Sequence, residues 1–77
     1  MNHRQLLDNN LYEVIDKCTI RNRTKDISEI IVTYTNGNQE RIWTYNNNRY
    51  YYDKYDFIGK TKIEAIFHCD RQRPYRY

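Results

Sequence analysis

Glycine, proline and alanine are scarce in this chain: two, one and one in 77 residues. Two glycines leave little material for a backbone-lined active site or a phosphate-cradling loop. Cysteine is confined to Cys18 and Cys69, which excludes a disulfide-dense framework. Without secretion evidence both are expected as reduced thiols in a cytoplasmic protein, and the sequence leaves open one bridge across the 50 residues between them. No apolar run is long enough for a signal peptide or a membrane span, so no membrane partner is expected. The paired close spacing that holds structural zinc is missing too, because Cys18, Cys69, His3 and His68 are scattered. No metal and no cofactor is expected.

The charge is also missing where a basic protein would need it. The net +3 comes from Arg71, Arg73 and Arg76, since the last seven residues contain no acid. Residues 1–70 hold ten Lys/Arg against ten Asp/Glu and balance. That argues against a globally basic surface and places any attraction to polyanions mainly in the tail.

What the chain has in quantity is tyrosine, asparagine and isoleucine, nine of each. The aliphatic core is therefore small, and large aromatic rings must supply much of the buried area. The enriched residues have AT-rich codons and the depleted ones GC-rich codons, which points to an AT-rich genome such as that of a phage or other mobile element. A mean hydropathy of -1.09 is polar for a folded domain, so self-association through a sheet is a further expectation.

The strongest local signal is Asn36-Gly37, flanked by runs rich in β-branched and aromatic residues, 28–35 and 39–45. A two-residue type I′ turn there requires positive φ at both positions. It sets Ile30, Val32 and Tyr34 on one face with Arg41, Trp43 and Tyr45. Ile31, Thr33, Glu40, Ile42 and Thr44 take the other. A turn at Gly37-Asn38 keeps these faces, and a three-residue loop changes them.

Asn46-Asn47-Asn48 gives a second turn signal, after which 49–55 reads as a third strand. That strand puts Tyr50 and Tyr52 on the packed face, and Tyr51, Asp53 and Tyr55 on the more exposed one. Residues 3–18 read as a helix with the stripe Leu7, Leu11, Val14, Ile15 and Cys18, weakened by Asp8-Asn9-Asn10. Residues 19–27 are polar and read as a connector, with a short strand at 17–22 as the alternative, since Cys18 and Ile20 alternate with polar neighbours. Thr61 with Glu64 forms a capping box for a helix over 62–72, with Ile63, Ile66 and Phe67 as its apolar stripe and Ala65 and Cys69 beside it. The expected fold is α+β: a three-stranded antiparallel β-meander packed against an N-terminal and a C-terminal helix. It is one domain over 1–77 with a short basic and aromatic tail at 74–77.

Chemistry finds few footholds. Gly59-Lys60-Thr61 resembles the end of a P-loop, but Lys54 stands where the first glycine belongs, and Thr61 is already explained as a cap. His68 and Cys69 are helix neighbours that point about 100° apart, so they do not form a nucleophile and its base. No carboxylate pair is placed for acid–base catalysis. No enzyme is expected. The remaining candidates are Tyr51, Tyr55, Arg71, Arg73, Tyr75, Arg76 and Tyr77, since Tyr and Arg are the residues richest at protein-interface hot spots. The reading is a small non-catalytic protein that binds a protein partner, an inhibitor carried by a mobile element. The alternative is a nucleic-acid-binding protein that uses the Arg/Tyr tail and the sheet aromatics.

Overall fold

The computed structural model describes residues 11–72. Three strands, β1 (Ile15–Asn22), β2 (Ile27–Tyr34) and β3 (Gln39–Asn46), form an antiparallel sheet in the order β1-β2-β3. A short 3-10 turn, Lys54–Asp56, and one helix, α1 (Lys62–Arg71), follow. The α+β meander expected from sequence is present, but its strands are not the expected three.

The N-terminal helix is overturned over residues 11–18, and the remainder of that expectation lies outside the described residues. Ile15–Cys18 belong to β1, which pairs with β2 from Ile15↔Tyr34 to Asn22↔Ser28. The helical spacing of Leu11, Val14, Ile15 and Cys18 was coincidental. Val14, Ile15, Thr19 and Ile20 are β-branched, and Cys18 and Ile20 face β2's buried Val32 and Ile30. The alternative strand at 17–22 forms in place of the connector expected from residue 19, and extends back to Ile15. A bulge at Asp16 lets both Ile15 and Cys18 serve the core.

The hairpin forms where Asn36-Gly37 indicates, by a different turn. The Gly37 N–H bonds Tyr34 O at 2.9 Å, and the Tyr34 N–H bonds Asn38 O at 2.8 Å, so Thr35, Asn36 and Gly37 make a three-residue loop. Gly37 alone takes positive φ, at 91°, and Asn36 does not. The Asn36 side chain instead accepts from the Asn38 N–H at 2.9 Å, an Asx turn. This loop pairs Val32 with Glu40 and Ile31 with Arg41; a bulge at Ile42 then restores Ile30↔Trp43. Trp43, Tyr45 and Thr44 hold their expected faces. Glu40 and Arg41 are exchanged: Glu40 joins the core side and Arg41 the open side. Ile42, expected opposite the core, packs against its rim.

The third strand expected at 49–55 does not form. The Arg49 and Tyr50 N–H groups both bond Asn46 O, a helical turn that takes the chain off the sheet. Asn47 and Asn48 are engaged by the first hairpin: Asn47 Nδ2 donates to Asn22 Oδ1 and Ser28 Oγ, and Asn48 Nδ2 to Asp26 Oδ1. Tyr50-Tyr51-Tyr52 then crosses the core side without pairing. Tyr52 is buried against the Tyr45 ring at 4.6 Å and donates its hydroxyl to Cys69 O at 2.9 Å.

The core joins Ile15, Ile30, Val32 and Tyr34 of the sheet to Tyr52, Phe57, Ala65 and Cys69. The chain's single alanine, Ala65, is fully buried in that core. A small side chain at the helix–sheet crossing lets the backbones approach. Glu40 locks the arrangement, accepting from the Tyr34 hydroxyl at 2.8 Å and pairing with Lys62 Nζ at 2.9 Å.

Candidate functional site

Helix α1 starts at the Thr61 capping box. The Thr61 hydroxyl accepts from the Glu64 N–H, and the Glu64 carboxylate accepts from the Thr61 N–H at 2.9 Å. That bond holds the Glu64 carboxyl below the usual carboxylate range. The Ile15 N–H bonds Lys60 O at 2.8 Å and the Gly59 N–H bonds Ile15 O at 2.9 Å, so β1 fixes where the helix begins. The Gly59 amide of the P-loop-like tripeptide is thereby spoken for, and the Thr61 amide is held by the cap.

The helix is oriented against its expected amphipathicity. Ala65 and Cys69 face the core, Ile66 is half-buried, and Ile63 and Phe67 are exposed, Phe67 by 62%. Ile63, Phe67 and Arg71 follow at four-residue intervals and so lie in one row on the outer face. The Arg71 guanidinium sits 5.7 Å from the Phe67 ring centroid, a cation–π contact. Beside the row runs an open groove of about 450 Å³ lined by Lys60, Glu64, Phe67, His68, Arg71 and Gln72. Exposed Tyr12 stands next to the helix start, where the Ile63 N–H bonds Leu11 O at 3.3 Å.

Of the candidates read from sequence, Arg71 lies in this row, and Tyr51 joins it at the C-terminal end. The Tyr51 carbonyl accepts from Gln72 Nε2 at 3.1 Å, and its side chain is 65% exposed. Tyr55 is 71% exposed in the 3-10 turn, with Lys54 Nζ 5.4 Å from its ring centroid. Neither tyrosine lies on the sheet, so the exposed sheet face expected to carry them does not. Arg73, Tyr75, Arg76 and Tyr77 lie outside the described residues.

Sequence reading missed Ile63 and Phe67 as surface residues. The 65/69 and 63/67 spacings are equally helical, and the larger side chains draw the eye to the wrong row. The signal was the single alanine, which marks a close approach.

The site holds no activated nucleophile. Burial pushes the Cys69 thiol up to about 12 and the Cys18 thiol up to about 11. His68 turns away from Cys69; its ring meets Phe57 edge-on at 5.3 Å, and its Nε2 is 3.9 Å from Asp56 Oδ2. Among the described residues, no three His, Cys, Asp or Glu side chains gather as metal ligands do, and no helix is long and apolar enough to cross a membrane. An apolar row flanked by a guanidinium and a groove is equipped for docking, which needs shape and desolvation rather than acid–base groups. No family model, curated protein or solved structure matches the chain.

Proposed function

We propose that this is a small non-catalytic binding protein that docks another protein through the outer face of α1, an inhibitor encoded by a phage or other mobile element. One observation carries the reading: α1 turns its small residues inward and presents Ile63 and Phe67 to solvent. Scattered exposed apolar residues are ordinary on any protein. A row of two beside an arginine, bordered by a groove and by Tyr51, is the composition of an interface centre. Phe67 is the anchor, Arg71 holds its ring and offers donors to the partner, and Tyr51 extends the contact past the helix end. The buried Cys69 thiol and the half-buried Cys18 thiol, both pushed up by burial, support the non-catalytic part. The mobile-element part is supported by the enrichment in amino acids whose codons are AT-rich.

The test compares wild type, Phe67→Ala and Tyr55→Ala as baits in the source cell, then titrates the recovered partner as a purified protein. Phe67→Ala is expected to cost about 1–3 kcal/mol of affinity, as interface anchors do, at unchanged thermal stability. Partner affinity indifferent to Phe67→Ala would sink the proposal.

A further inference from the structure

The balanced charge of residues 1–70 is not balanced in space. The register sends Lys17, Thr19 and Arg21 of β1, Glu29, Ile31 and Thr33 of β2, and Gln39, Arg41 and Thr44 of β3 to the sheet face opposite the helix. That face carries three cations and one acid. The acid is already engaged: Glu29 Oε2 accepts from Arg21 Nε at 2.9 Å and Glu29 Oε1 from Arg41 Nη1 at 3.3 Å. The Glu29 side chain is 7% exposed, while the two arginines are more than half exposed. The carboxylate therefore acts from beneath, fixing two guanidinium forks whose remaining N–H groups point to solvent.

Two depressions adjoin Arg41. One, of about 210 Å³, is lined by Arg21, Glu29, Ile31, Gln39, Glu40 and Arg41. The other, of about 450 Å³, is lined by Arg23, Arg41, Ile42, Trp43 and Thr44. Arginine recurs in both, with threonine or glutamine donors beside it; the second lies at the β3 edge, where it reaches Ile42 and Trp43, side chains that pack on the core side. Of the next acids, Asp16 is the exposed bulge residue beside Lys17, and Asp26 lies in the β1–β2 turn, where its carboxylate accepts from Asn48 Nδ2.

We propose that this open sheet face binds single-stranded nucleic acid, with Arg21, Arg41 and Lys17 of the face and Arg23 of the β1–β2 turn on consecutive phosphates and the depression at the β3 edge beside Trp43 receiving an unstacked base. The guanidinium fork matches a phosphate bidentately, hydroxyl and amide donors complete backbone contacts, and an apolar pocket suits a base that is not stacked in a duplex. The surface is separate from the α1 docking face and uses none of its residues. It also replaces the tail as the main source of phosphate contacts.

Fluorescence anisotropy of the whole chain with labelled mixed-sequence RNA and DNA strands, measured over a salt series, tests it. Three or four phosphate contacts predict a log–log salt slope of about -2 to -3 on single strands. Arg21→Gln with Glu29→Gln and Arg41→Gln removes the cluster without stranding a buried carboxylate. Lys17→Gln with Arg23→Gln leaves that cluster intact and keeps the test valid if the first variant misfolds. Each set takes away two cations and is expected to flatten the slope by about 1.4 and weaken all sequences alike. Arg71→Gln with Arg73→Gln and Arg76→Gln is expected to have the smaller effect. Three outcomes overturn the assignment: no binding at low salt, binding lost with the tail variant but kept by both sheet variants, or equal competition by duplex DNA or polyglutamate.

Discussion

Phe57 and Tyr55 stand two residues apart in the same irregular segment, and the structure demands opposite consequences from truncating them. Phe57 is fully buried, its ring 6.3 Å from that of Tyr52 and 5.3 Å from that of His68. It pins residues 51–58, which make no backbone hydrogen bonds to the strands, between the sheet and α1. Phe57→Ala removes the transfer energy of the ring and leaves a cavity that rigid β2 and the capped helix cannot close, costing about 3–5 kcal/mol. At roughly 0.05–0.15 kcal/mol per residue, a 77-residue domain has only about 4–12 kcal/mol in total, so the variant is near the edge of folding. With about 4–8 °C lost per kcal/mol at this size, Tm should fall by roughly 12–40 °C. Tyr55→Ala, at a side chain exposed to water, should stay within about 0.5 kcal/mol of wild type. Thermal melts followed by far-UV circular dichroism measure both. A Phe57→Ala variant melting within about 5 °C of wild type would refute the claim that one buried ring holds the segment.

Gly37 has open space around its Cα, so only its positive φ resists substitution. Gly37→Val should therefore cost about 1–3 kcal/mol through backbone strain, and a urea midpoint equal to wild type would remove the loop described above. The Arg21 hydrogen bond, with help from Arg41 and against partial desolvation, holds the Glu29 carboxyl below its usual value of 4.5. A depressed folded-state pKa stabilises above the unfolded value, and that stability disappears as pH falls through the folded one. Wild type should thus lose Tm below about pH 4.5 more steeply than Glu29→Gln, part of the fall remaining from Glu64, and parallel curves would contradict the cluster's role.

The parts of the fold visible in the sequence are those whose causes are local. Asn36-Gly37 places the hairpin because only a few residues tolerate a reversal, and Thr61 with Glu64 places α1 because the cap is built from neighbours. The parts that escaped depend on distant partners. Ile15 became a strand residue through its pairing with Tyr34, backed by bonds to Lys60 and Gly59, and no window around it contains any of the three. Tyr50–Tyr52 have every propensity of a strand, but Asn46, Asn47 and Asn48 are held by their own turn and the β1–β2 hairpin, and the chain leaves the sheet before it can pair. Of the candidate site, Arg71 and Tyr51 were legible as residue types. The meeting of Arg71 with an exposed Phe67 was not, because a helix's rotation is set by what it packs against. Charge balance along the chain likewise concealed its separation across the sheet.

The loop and the bulge of the β2–β3 hairpin together work as a lock on alignment. Residues 31–42 fit equally well, by count, as a two-residue turn with straight strands, so chain length does not choose between the two alignments. Side chains choose. In the observed one Glu40 meets Tyr34 and Lys62 on one side and Arg41 meets Glu29 on the other. A slip to the straight alignment would carry Arg41 to the side of Lys62 and take Glu40 away from it, trading two attractions for a repulsion. Two adjacent residues of opposite sign thus act as a key that turns only one way, and exchanging them, Glu40→Arg with Arg41→Glu, inverts the teeth.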